Sequence, residues 1–181
     1  VAPAYPMLFA AGGVWWEGRA RGAKAALVGA IAGLGAIAAP LVLPVLPPER
    51  YVEYQKALEI APPQTEVHHA GPLPQHLGDM FGWPEMVETV AKIYHGLAPE
   101  ERAKAAILAG NYGEAGAIDF FGPRHGLPKA ISGHQGYYLW GPGEATGEVL
   151  ILLQTNRKEA ERYCARGEEA GRVGHPYGMA E

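Results

Sequence analysis

AAILAGNYGEAGAIDFFG, Ala105 to Gly122, decides the fold. Its first five residues are apolar and too few for a helix, so they read as a buried strand. Gly110, Gly113 and Gly116 allow a tight turn and close packing. A helical stretch follows. Strand, glycine-bearing turn and helix together form the general layout of an α/β ligand edge. It is not a dinucleotide fingerprint, because G-x-G-x-x-G is absent and no acidic residue follows at the required distance.

Working outward, Trp83-Pro84-Glu85 opens a helix, with proline early and an acid in the first turn. Met86, Val87, Val90, Ala91 and Tyr94 fall at helical spacing, and Gly96 ends the run. A short helix starts at Pro99-Glu100-Glu101. Downstream, Lys129 to Ser132 reads as a second strand. Glu148 to Leu153, EVLILL, is the strongest strand of the chain, and Lys158 to Ala165 is a charged helix. Alternating strands and helices imply βαβ units and a mainly parallel sheet. The expected fold is a small, three-layer-like α/β domain over residues 76–181.

Two strand ends carry polar groups: Asn111, Tyr112 and Glu114 after one, Gly133, His134 and Gln135 after the other. Ligands of open parallel sheets gather at such ends. With Tyr138 and Trp140 as stacking faces, these residues form a candidate surface for an uncharged polyhydroxylated group. The alternative is a half-buried strand pairing Tyr138 and Trp140 on one face. Without clustered Arg or Lys, a phosphate pocket is not expected here.

The N-terminal quarter differs in kind. AALVGAIAGLGAIAAPLVLPVL, Ala25 to Leu46, holds no charge and no polar face. It is long enough to cross a ~30 Å hydrocarbon core. The alternative, a buried helix of a soluble protein, would ordinarily show an amphipathic pattern. Gly29 and Gly33 give a GxxxG spacing suited to close helix packing. Residues 1–16 are also uncharged and end in Trp15 and Trp16, which suit an aromatic belt. Between these runs, EGRARGAK carries Arg19, Arg21 and Lys24. The positive-inside rule therefore places loop 17–24 in the cytoplasm and everything after Pro48 outside it. Residues 47–75 read as a Pro-rich connector with one short helix around Glu49 to Leu58.

Bulk properties exclude several classes. The formal net charge of -4 gives no basic footprint for nucleic acid. Charged residues make up 19%, below the ~25% of ordinary soluble proteins. The single cysteine, Cys164, permits no intrachain disulfide and reads as a bystander. His68, His69 and His76 lack a carboxylate or thiol at ligand spacing, so no metal is expected, and no cofactor is indicated.

Gln75 to Pro142 resembles the C-terminal soluble region of bacterial family 39-like glycosyltransferases, the superfamily of protein O-mannosyltransferases and aminoarabinose transferases. GNYGEAGAIDFFGP and AISGHQGYYLWGP are the most distinctive pieces. APAYPMLFAAGGVWWE likewise resembles the last membrane hairpin of those proteins. The resemblance implies a multi-pass enzyme of the bacterial inner membrane, of which this chain would be a C-terminal fragment. Such an enzyme moves a sugar from a polyprenyl-phosphate carrier to a glycan, lipid or protein acceptor on the outer side. The family's catalytic carboxylate lies in an early external loop, so no catalytic residue is expected here, and Glu114 and Asp119 are expected to shape the site or serve structure. Two other classes fit the residues: a non-catalytic membrane-tethered binding or sensor module, and a soluble α/β enzyme whose apolar N-terminus is core.

Overall fold

A computed structural model of the chain describes residues 4–61 and 71–178. Two compact units divide it, Val1–Ala61 and Pro62–Glu181.

In the first unit, helix α1 (Tyr5–Glu17) and helix α2 (Arg21–Val42) contain no buried residue. The apolar side chains point outward along both: Phe9 is 75% exposed and Leu34 68%. Helix α2 is long and apolar enough to cross a membrane, with a mean hydropathy of 2.1 over its most apolar stretch. The described part of α1 has 13 residues. At ~1.5 Å per residue it falls short of a full crossing.

Boundaries differ from the sequence reading. The expected second span began at Ala25, but α2 starts at Arg21, so Arg21 and Lys24 belong to its first turns and the connection shrinks to Gly18, Arg19 and Ala20. Both cations have long aliphatic stems that suit a helix. Lys24 Nζ donates to the Glu17 carbonyl at 2.7 Å, closing the end of α1, and the Arg19 guanidinium lies 4.0 Å from the centre of the Trp15 ring. The helix ends at Val42 rather than Leu46, because Leu43 turns extended ahead of Pro44.

Pro40 sits inside α2 and supplies no N–H, which leaves the Ala36 carbonyl without its helical donor. Two tyrosines of helix α3 (Pro48–Ala57) serve carbonyls around this weak point. Tyr54 Oη donates to the Ile37 carbonyl at 2.8 Å, and Tyr51 Oη to the Leu41 carbonyl at 3.2 Å. Tyr51 is buried, and that burial raises its hydroxyl pKa above the ordinary value.

The second unit is α/β. After the short helix α4 (Gln75–Gly78) comes helix α5 (Trp83–Gly96), whose N-cap Gly82 holds φ 91°. That conformation favours glycine. Helix α6 (Pro99–Arg102) leads into strand β1 (Ala105–Ala109). Helix α7 (Tyr112–Phe121) and a 3-10 turn (Gly122–His125) lead to β2 (Ala130–Ser132). Helix α8 (Gly136–Trp140), β3 (Val149–Leu152) and helix α9 (Arg157–Tyr163) follow. The strands form one sheet in the order β2-β1-β3, with both pairings parallel. Leu108 of central β1 stands beside Ile131 on one side and Leu152 on the other.

The three strands and the α5 helix thus fall where the apolar runs put them. Ile107, Val87 and Ile118 are the largest fully buried side chains, joining β1, α5 and α7 in one core. Fully burying such a side chain contributes about 1.5–3 kcal/mol. Strand alternation turns Leu108, Ile131, Leu150 and Leu152 to the opposite face, where they are only half-buried. The sheet is packed firmly on one face and partly covered on the other, short of three full layers.

Gly136 to Trp140 is a helical turn, not the strand that alternation of Tyr138 and Trp140 suggested. Helical geometry turns Tyr137 inward instead. Tyr137 Oη donates to Asp119 Oδ2 at 3.0 Å, while Asp119 Oδ1 accepts from the Ala130 backbone N–H at 2.9 Å. Asp119 therefore clips α7 to β2 and α8.

Candidate functional site

The C-terminal ends of β1 and β2 meet as expected for parallel neighbours. The Tyr112 ring lies 5.2 Å from the His134 ring, centre to centre. Tyr112 is 56% exposed, and the His134 backbone N–H donates to the Ser132 hydroxyl at 3.2 Å. Gln135 adopts φ 55°, ψ -135°, a backbone conformation sparsely populated by residues with a side chain.

Strand order moves the centre of this edge. With β2-β1-β3, the chain leaves β1 toward one side and later returns to the other. The crevice where connections diverge lies between β1 and β3, which is where open α/β sheets characteristically take ligands. The residue at that point is Gln154, two positions after the end of β3. Its Oε1 accepts from Asn111 Nδ2 at 3.2 Å, and its φ of 46° is left-handed. A Cβ on Gly110 would stand 3.0 Å from Gln154 Oε1 and 3.3 Å from Glu114 Oε2, so both side chains approach this glycine closely. Gln154 was missed because only two of the three strand ends entered the sequence reading. The signal was Gln-Thr-Asn after EVLILL.

Glu114, expected both in the candidate surface and as a carboxylate that shapes the site or serves structure, has a buried side chain. Glu114 Oε2 accepts the Gly110 N–H at 2.7 Å and, more weakly, the Asn111 N–H at 3.4 Å. Asn111 Oδ1 accepts the N–H groups of Gly113 at 2.8 Å and Glu114 at 3.0 Å. This is a complete capping box at the start of α7. Its consequence is electrostatic. Backbone N–H groups at a strand-to-helix turn are the usual cradle of a phosphate. Here a carboxylate of the chain itself holds that position, so an incoming phosphate would meet a like charge. The remaining groups at the edge are three amides, a phenol and an imidazole, which suit neutral hydroxyls.

The aromatic part of the expected site lies on α8, which begins directly after Gln135. Tyr138 and Trp140 lie on α8 with their side chains exposed, and the ring contact of Trp140 is with Tyr137 at 4.8 Å. Burial, then the hydrogen bond to Asp119 and its charge, push the Tyr137 hydroxyl up to about 12. Among the described residues no three His, Cys, Asp or Glu side chains gather as a metal site. His68 and His69 lie outside the described residues.

Compared with family models, curated proteins and solved structures, the chain matches none of them.

Proposed function

We propose that this chain is the C-terminal part of an integral membrane glycosyltransferase. The whole enzyme transfers a sugar from a polyprenyl-phosphate carrier to a glycan, lipid or protein acceptor outside the cytoplasm. The observation that carries the membrane part is α2, a long apolar helix with no buried residue, in the same chain as an α/β domain. The transferase part rests on the resemblance of GNYGEAGAIDFFGP and AISGHQGYYLWGP to family 39-like enzymes. In this reading the β1/β3 edge, with Asn111, Gln154, Tyr112, His134 and Gln135, holds hydroxyls of the acceptor or of the donor's sugar. The filled anion position supports a neutral ligand over the donor's phosphate.

A second reading is favoured by one observation: Glu114 and Asp119, the two carboxylates of α7, both accept backbone hydrogen bonds. That fits a membrane-tethered binding module without chemistry of its own. Two measurements decide. A reporter active only outside the cytoplasm, fused after Glu181, should give signal; strong signal from a cytoplasmic reporter instead would reverse the topology. In full-length enzyme, Gln154→Ala, Tyr112→Ala and Gln135→Ala should each lower transfer by about threefold to tenfold, the worth of one or two hydrogen bonds to substrate. Unchanged transfer in all three, with folding intact, removes the edge from the site.

A further inference from the structure

We propose that the outer side of helix α8 docks on the surface of a lipid bilayer. The inference rests on reading α2 as a membrane span. Tyr138, Leu139 and Trp140 are 71%, 82% and 73% exposed, and Leu139 exceeds every other large apolar residue described. Three consecutive large apolar side chains facing water are a liability unless something covers them.

Presentation of the trio is fixed from below. Tyr137 anchors α8 through Asp119, the Trp140 ring packs edge-on against Tyr137, and Gly141 at φ 70° with Pro142 stops the turn. The three outer side chains thus sit on a braced turn rather than on a free loop.

Their chemistry selects the occupant. Trp and Tyr pair an apolar body with one polar tip, the combination that concentrates at membrane-water interfaces, and Leu139 supplies the purely apolar element between them. From Ala130 to Gly143 the chain holds no Asp, Glu, Lys or Arg. The segment therefore offers no ion pair to a charged protein partner and has no strong charge to dehydrate at a headgroup layer. The bilayer is also the one partner the chain brings with it. Residues 43–70 tether the domain to α2, so a contact too weak to hold a free domain becomes an intramolecular event at high effective concentration.

The test uses the full chain reconstituted in phosphatidylcholine vesicles, with Cys164→Ser as background. Nitroxide labels are placed in turn at Leu139→Cys, at Glu100→Cys on the exposed face of α6 and at Ile31→Cys within α2. Collisions with oxygen report lipid, and collisions with a water-soluble nickel chelate report water. The expected result is that the Leu139 label shifts to oxygen access and nickel protection while the Glu100 label shows the reverse. If Ile31 is in lipid but the Leu139 label behaves as Glu100 does, the docking is overturned and the span stands. If Ile31 meets nickel freely, the span fails and the docking with it. Protection of Leu139 from both reagents means protein covers the turn, a second copy where spin-spin broadening accompanies it, and that also overturns the proposal.

Discussion

Removing the Glu114 side chain tests whether the β1–α7 turn is held from inside. Glu114→Ala deletes the acceptor of the 2.7 Å bond from Gly110 and of the weaker 3.4 Å bond from Asn111. A hydrogen bond to a charged group contributes about 1.5–3 kcal/mol. Gly110 is exposed, so its released N–H regains water and part of that is recovered. Asn111 keeps its own half of the box on Gly113 and Glu114 N–H, so only one side of the cap is lost. The expected net cost is therefore about 2 kcal/mol. For a domain of this size that corresponds to a fall in Tm of about 6–12 °C. Glu114→Gln keeps an oxygen in the same place and loses only charge assistance, so it should cost about half as much. Thermal unfolding of the detergent-solubilised chain, followed by near-UV circular dichroism, gives both numbers. Equal losses in the two variants, or a change under about 0.5 kcal/mol in Glu114→Ala, would refute the argument. In the proposed full-length transferase, Glu114→Gln should also retain most of its transfer. Abolished transfer in a stable Glu114→Gln protein would give Glu114 a chemical role.

Two further outcomes follow from tyrosine hydroxyls. The Tyr137 pKa rises from 10.0 unfolded to about 12 folded, so the folded state favours the neutral phenol. Its stabilising contribution is complete below pH 10 and disappears as pH climbs through about 12. Between those values the stability advantage of wild type over Tyr137→Phe should shrink steadily, read as the difference in Tm at each pH; a constant difference would contradict it. At helix α2, Tyr54→Phe and Tyr51→Phe each remove a donor to a carbonyl near Pro40. Each should cost about 1 kcal/mol and raise amide exchange over residues 37–42, most in the double variant. Exchange unchanged in the double variant would show that these hydroxyls do not support the helix end.

What was legible in the sequence followed from apolar periodicity. AAILA and EVLILL are too short for helices and too apolar for loops, so burial fixed them as strands. Met86, Val87, Val90 and Ala91 could only share a helical face. Less legible was where a polar side chain turns. Glu114 looked like a ligand group because polarity beside a strand end suggests a site. Yet Asn111-x-x-Glu114 and Asn156-x-x-Glu159 both carry the spacing of a capping box, and both form one. Alternating Tyr138 and Trp140 suggested a strand because five residues cannot separate a period of 2 from one of 3.6.

Strand order was the deeper gap, and it decides which residues can act together. Periodicity identifies β1, β2 and β3 but does not say that β3 pairs with β1 rather than extending the sheet beyond β2. Had the order been β1-β2-β3, Gln154 would lie a strand away from Asn111 and the crevice would fall elsewhere. The observed order instead brings Gln154 Oε1 within 3.2 Å of Asn111 Nδ2 and against the bare backbone of Gly110. Gly110 is thus approached both by Glu114 of its own turn and by Gln154, more than forty positions away. Gln154 also carries a left-handed φ of 46°. A residue held against its backbone preference at a switch point, with its amide on the facing loop, is where strain has most reason to serve function. Gln154 accordingly ranks ahead of Glu114 as the edge residue to change first.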